Sequence, residues 1–215
     1  IELAASHDKV HLLTYSNGYG HYGFGRVKKR VSELERAYPG KFCAHFESIQ
    51  PLFRELVVDK LREDFNEFDS AFVWCMGCKL AMHARSIRYC RENGVGRMAD
   101  GSSQDTDEMV EQMLVSVSLV HMFCKDWGVD YFIPVYSMTR EEKRELIREK
   151  KMNLGIPLLD RHLGIQPSCV PGELYYLPYI LFNKAPVHEE IVVARYITKK
   201  RAFLDCYLSE QLGGS

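Results

Sequence analysis

The sequence predicts an α/β fold, a doubly wound parallel sheet of about five strands with a C-terminal helical extension from about residue 177. Three observations predict it. Short apolar, β-rich runs alternate with amphipathic helical stretches between residues 9 and 150, the rhythm of right-handed βαβ units. Polar and glycine-bearing segments follow the strands directly, where open α/β sheets bind ligands. The 215 residues suffice for one domain with a core of normal size, so 1–215 is read as a single unit.

Taken in order, "KVHLLTYS" (9–16) is the first strand, ending in the glycine-rich turn "NGYGHYGFG". "RVKKRVSELERAY" (26–38) carries a helical period, and "KFCAHFES" (41–48) is the second strand. Pro51 stands where a first helical residue would, before the amphipathic "LFRELVVDKLREDF". "DSAFVW" (69–74) predicts a third strand and 76–93 its helix. "VGRMADG" (95–101) is a fourth strand and turn, and "DYFIPVY" (130–136) a fifth. Asp105 with Glu108 predicts the start of a long helix over 106–126; Thr139 with Glu142 caps a charged helix. Residues 154–176 read as a proline-punctuated loop, and a last helix runs from about Val187 to Gln211.

Net charge is −1, so no global field draws the chain to nucleic acid or to a membrane surface. No apolar run approaches the roughly 20 residues that span a bilayer, and no signal-peptide pattern opens the sequence. Seven cysteines without the dense spacing of a secreted scaffold predict a reduced, cytoplasmic setting.

Three polar features fall at predicted strand ends. The turn 16–25 has glycines at 18, 20, 23 and 25, which let backbone N–H groups approach an anion, although a flexible turn explains them equally well. Cys75 and Cys78 sit at the predicted strand-to-helix switch, where a helix N-terminus and Lys79 would favour thiolate. Packing is the alternative for any one cysteine. Cys43, Cys90, Cys124 and Cys206 lie within periodic elements and are expected in the core. Cys169 lies in "QPSCVPG", where packing gives cysteine little advantage. Cys75, Cys78 and Cys169 would make a three-thiolate site with one open position; a closed zinc site would add His83, His162 or His188. Asp100 and Ser102, at the tip of strand four, are not accounted for by helix capping.

In this order the pieces resemble the PP-loop superfamily, the Rossmann-like, adenine nucleotide alpha hydrolase-like proteins. "SNGYGH" (16–21) takes the place of that family's phosphate loop, and "ADGSSQD" (99–105) that of its later strand-end motif. "PVYSMTREEKRELIREKKMNLGIP" (134–157) is similar to a third stretch. The pattern is nearest to iron–sulfur-dependent tRNA thiolases, in which three such cysteines hold a 4Fe–4S cluster. The resemblance implies Cys75, Cys78 and Cys169 as cluster ligands, and Ser16, Asn17, Gly18, Gly20 and Ser102 along a nucleotide or anion pocket, with His21 and Asp100 as catalytic groups. It implies sulfur transfer or removal on a nucleobase, a tRNA or a small molecule; a homodimer is compatible with it. Asn17, Gly20 and His21 depart from the loop motif, and the loss of its acidic residue at Gly20 predicts weak binding of ATP with magnesium. The alternative is a non-catalytic binding protein with zinc or no metal at the cysteines.

Overall fold

The computed structural model describes residues 2–149, 168–182 and 187–213. A short helix, α1 (Glu2–Ser6), precedes β1 (Val10–Ser16), and β2 (His21–Tyr22) leads into α2 (Phe24–Ala37). After β3 (Phe42–Ser48) come α3 (Gln50–Leu56), α4 (Leu61–Phe68) and the long α5 (Phe72–Glu92). β4 (Arg97–Ala99), α6 (Leu114–Asp126), β5 (Asp130–Phe132) and α7 (Arg140–Glu149) follow. β6 (Ser168–Cys169), α8 (Val170–Phe182) and α9 (Glu190–Leu212) complete the described chain. Among the described residues, no helix is long and apolar enough to cross a membrane.

The α/β class stands, but the sheet is not one piece. Among the described residues the strands form three two-stranded sheets: β1 with β3 and β4 with β5, both parallel, and β2 with β6, antiparallel. The predicted third strand, 69–74, is instead a turn and the first residues of α5. Its apolar run is helical because α5 is the central helix, packed against α3, α4, α6 and α9. Phe72, Val73, Met76, Leu80, Ala81, Ala84 and Ile87 are all buried along it. A short, wholly apolar segment cannot be assigned to strand or helix by period alone.

Three boundaries also move. The expected helix 106–126 begins only at Leu114, after two 3-10 turns, and Ser103 rather than Asp105 caps the first, its Oγ accepting the Asp105 N–H at 3.3 Å. The fifth strand stops at Phe132. Of the loop expected over 154–176, residues 154–167 lie outside the described residues, and 170–176 are helical. Pro171 is tolerated there because a first-turn N–H has no partner within the helix. The capping box is present: Thr139 N–H donates to Glu142 at 2.6 Å and Glu142 N–H to Thr139 Oγ1 at 3.2 Å.

The C-terminal helix belongs to the core. Val193, Tyr196, Ile197, Leu204 and Leu208 of α9 are buried in the same cluster as Phe53, Phe72 and Phe123, each contributing about 1.5–3 kcal/mol by leaving water. Tyr196 donates its hydroxyl to the Val73 carbonyl at 2.7 Å. A Cβ on Gly77 would stand 2.4 Å from a Val57 methyl and 2.7 Å from the Tyr196 hydroxyl. The glycine between Cys75 and Cys78 therefore lets two other elements pack onto α5.

Candidate functional site

Among the described residues, the two parallel pairs are not hydrogen-bonded to each other. A cavity of about 940 Å³ lies beside them, lined by β1 and α2, by one face of α5, and by β4 with the turn after it. Cys75, Cys78, Cys169, His21, Asp100 and Ser102 all line it. Six of the residues singled out from sequence thus face one space.

The three cysteines arrive from two directions. Cys75 and Cys78 are one turn apart on α5 and share a face. Cys169 is carried in by β6, which pairs with β2 in the register His21 to Cys169 and Tyr22 to Ser168. Further bonds hold the clasp: Val170 N–H to the Gly20 carbonyl at 3.0 Å, and the Tyr22 hydroxyl to Glu173 at 2.6 Å. A Cβ on Gly172 would lie 3.5 Å from Cys75 Sγ and 3.8 Å from the Cys169 Cβ, so the missing side chain leaves room beside the Cys75 sulfur.

The thiols are not activated in the way their expected position suggested. Burial, with the neighbouring Glu111 charge, pushes the Cys75 thiol far up, and burial pushes Cys78 up to about 12 despite the hydrogen bond from Asn17. Both are neutral thiols at neutral pH in the absence of a cation. Of the other cysteines, Cys90 and Cys124 are buried as expected, whereas Cys206 is exposed and Cys43 half-buried.

The glycine-rich turn does not present a free row of amides. Asn17 N–H donates to His21 Nδ1 at 3.3 Å, Gly18 N–H to Ser16 Oγ at 3.3 Å, and Tyr19 N–H to Asn17 Oδ1 at 2.9 Å. Gly18 and Gly20 have φ of 76° and 87°, a region that L side chains rarely adopt. A Cβ on Gly18 would collide with Gln50 at 2.5 Å. The buried Asn17 turns its amide toward the cysteines and donates to Cys78 Sγ at 3.4 Å. Burial lowers the His21 pKa, against the pull of a hydrogen bond to the Tyr15 backbone.

The turn after β4 forms the polar wall. Asp100 Oδ1 accepts the Ser102 N–H at 2.9 Å, and its Oδ2 accepts the Tyr131 hydroxyl at 2.8 Å. The same oxygen lies 3.4 Å from Lys79 Nζ and 3.3 Å from His83 Nε2. Burial opposes ionisation of Asp100, but the His83 bond and the Lys79 charge outweigh it and hold the carboxyl well below the usual range. Buried Lys79 also donates to Ser102 Oγ at 2.8 Å and to the Glu111 carbonyl at 2.6 Å. Asp100 is therefore an ionised anchor for a buried ammonium.

Sequence reasoning gave Lys79 only a supporting part and missed Glu111 and Tyr176. Burial pushes the Glu111 carboxyl up, and the Tyr176 hydroxyl donates to it at 3.2 Å while accepting the Val110 N–H at 3.0 Å. The spacing of "KLAMH" on a helix puts Lys79 and His83 on one face. Nothing local announces Glu111. Of the histidines considered as a fourth metal ligand, His83 is engaged with Asp100 and with the Lys79 carbonyl at 2.8 Å. His188 packs edge-on against Phe72, and His162 lies outside the described residues.

No family description, curated protein or solved structure matches this chain.

Proposed function

We propose that the chain is an iron–sulfur-dependent enzyme of the PP-loop kind, moving sulfur onto or off a nucleobase, tRNA or small-molecule substrate. We read the pairs β3–β1 and β4–β5 as the two halves of one doubly wound sheet, with the cavity at the division between them. The observation that carries the proposal is that Cys75, Cys78 and Cys169 line one cavity together with the Lys79–Asp100 pair.

The donor set fits a cluster. Three cysteines line one cavity, there is room beside the Cys75 sulfur, and burial holds Cys75 and Cys78 protonated until a cation displaces the protons. A 4Fe–4S cluster on three thiolates has one iron free of protein sulfur, which supplies a binding place for sulfide or a thiolated substrate. Asn17 would donate to the Cys78 sulfur and stabilise its thiolate. Lys79, held by Asp100 and Ser102, would face an anionic group in the cavity with a fixed positive charge. Glu111 is a carboxyl on the wall of the same cavity, and burial opposes its ionisation. Because the Asn17, Gly18 and Tyr19 amides are engaged within the turn and Gly20 lacks the family's acidic side chain, weak ATP binding is expected.

The test is metal analysis of anaerobically purified protein. Iron and acid-labile sulfide with a broad visible absorbance are expected. Cys169→Ala should lose iron as completely as Cys75→Ala, while Cys206→Ala keeps it. Absence of iron and sulfide, or a full cluster in the Cys169 variant, would overturn the proposal; stoichiometric zinc in its place would favour the binding-protein reading.

A further inference from the structure

The opposite end of β1 carries a second set of ligand-type side chains. In the parallel register of β1 and β3, His11 pairs with Cys43 and Leu13 with His45. Residues two apart on a strand share a face, so His11, Cys43 and His45 stand together. Tyr89 of α5 closes over them: its hydroxyl lies 2.7 Å from His11 Nδ1 and 2.9 Å from His45 Nε2.

We infer that His11, Cys43, His45 and Tyr89 form a second metal site, for a zinc-class divalent cation, between the β1–β3 pair and α5. The ligand atoms of the two histidines and Cys43 all lie within 4.8 Å of one another. His11 Nδ1 and His45 Nε2 are 3.4 Å apart. Two imidazole nitrogens on one tetrahedral zinc, each at about 2.0–2.1 Å from the metal, are separated by about 3.4 Å. The two rings are nearly parallel, at 13°, with both nitrogens turned toward the same phenol oxygen. The donor set of two imidazoles, one thiol and one phenol suits a borderline cation rather than magnesium or calcium. His11, Cys43 and His45 are half-buried, so an ion can reach them.

His11 and Tyr89 line the same cavity as the three cysteines, but the site lies away from them along β1. His11 is the second residue of β1 and Ser16, which opens the glycine-rich turn, is its last; at about 3.3 Å per residue they are roughly 16 Å apart. A cation here would tie β1, β3 and α5 together and stabilise the folded chain by mass action.

Cobalt(II) is the probe, used on metal-stripped protein carrying Cys75→Ser, Cys78→Ser and Cys169→Ser so that the first site is silent. Saturable binding of about one equivalent is expected, with a thiolate-to-cobalt band in the near ultraviolet that zinc(II) abolishes. Adding Cys43→Ser should remove that band, and His45→Ala should weaken binding at least tenfold. Absence of saturable binding, or a band indifferent to Cys43→Ser, overturns the inference. If the triple variant does not fold, zinc content decides, measured on the unaltered chain and on its Cys43→Ser variant after equilibration with zinc(II). A fall of about one equivalent supports the site and an unchanged content overturns it.

Discussion

Among the described residues, two buried lysines pair with aspartates, and the two pairs do different things. Asp64 of α4 and Lys200 of α9 are 0% and 4% exposed, and they form a close ion pair. Lys200 also donates to the Leu56 carbonyl at 2.6 Å, and Asp64 accepts from Lys199 at 3.1 Å. That pair is closed off from solvent and fastens α9 to α4. The Lys79–Asp100 pair has a similar set of partners, but Asp100 keeps 26% of its side chain exposed and both residues line the cavity. The same charge pair is a staple when sealed on all sides and a wall when one side stays open.

The largest effect should come from breaking the staple. Asp64→Ala leaves Lys200 charged in a dry site and should cost about 3–5 kcal/mol by urea denaturation. Adding Lys200→Met should restore much of that loss, which a purely local packing defect would not allow. Lys79→Met should cost less, about 1–3 kcal/mol, because Asp100 retains Tyr131, His83 and partial access to water. A loss equal to that of Asp64→Ala would erase the distinction between the two pairs. Asp100→Asn tests the same wall through pH. The folded-state pKa of Asp100 is depressed, so its contribution is complete above the ordinary carboxyl range and declines as pH falls below about 4. The urea midpoint of the Asn variant should therefore fall less steeply than that of the parent between pH 5 and pH 3. The smallest effect belongs to Asp130→Ala, which removes the exposed Arg97–Asp130 pair and should cost under about 1 kcal/mol.

What could be read from sequence follows from how local the cause is. β1 and β3 were legible because a short β-rich run is bounded by turn residues at both ends, and the Thr139–Glu142 cap because its chemistry spans three residues. The start of α5 was not legible, because a helix surrounded by other helices loses the polar stripe that reveals its period. "CMGC" drew attention to both cysteines, whereas the role of Gly77 depends on Val57 and Tyr196, far away in the chain. Cys169 could be singled out only by its odd setting and by a family resemblance; its approach to Cys75 and Cys78 depends on the β2–β6 ladder. His11, Cys43 and His45 do not stand out in the sequence, because Cys43 sits within a periodic strand where packing accounts for it. The alternation in "CAH" puts Cys43 and His45 on one face, but their meeting with His11 requires the strand register.

The β2–β6 ladder pairs only two residues of each strand, with His21 bound opposite Cys169. Free energies of local opening scale with what must be broken, and a short ladder with a few flanking bonds opens far more often than a central helix unfolds. Cys75 and Cys78 thus share the protection of the core, while Cys169 shares that of a marginal strand. Amide exchange at Val170 should accordingly run ahead of exchange at Leu80 or Ala81 by orders of magnitude. Two of the cysteines that line the cavity thus stand on its most protected helix, and the third on a two-residue ladder.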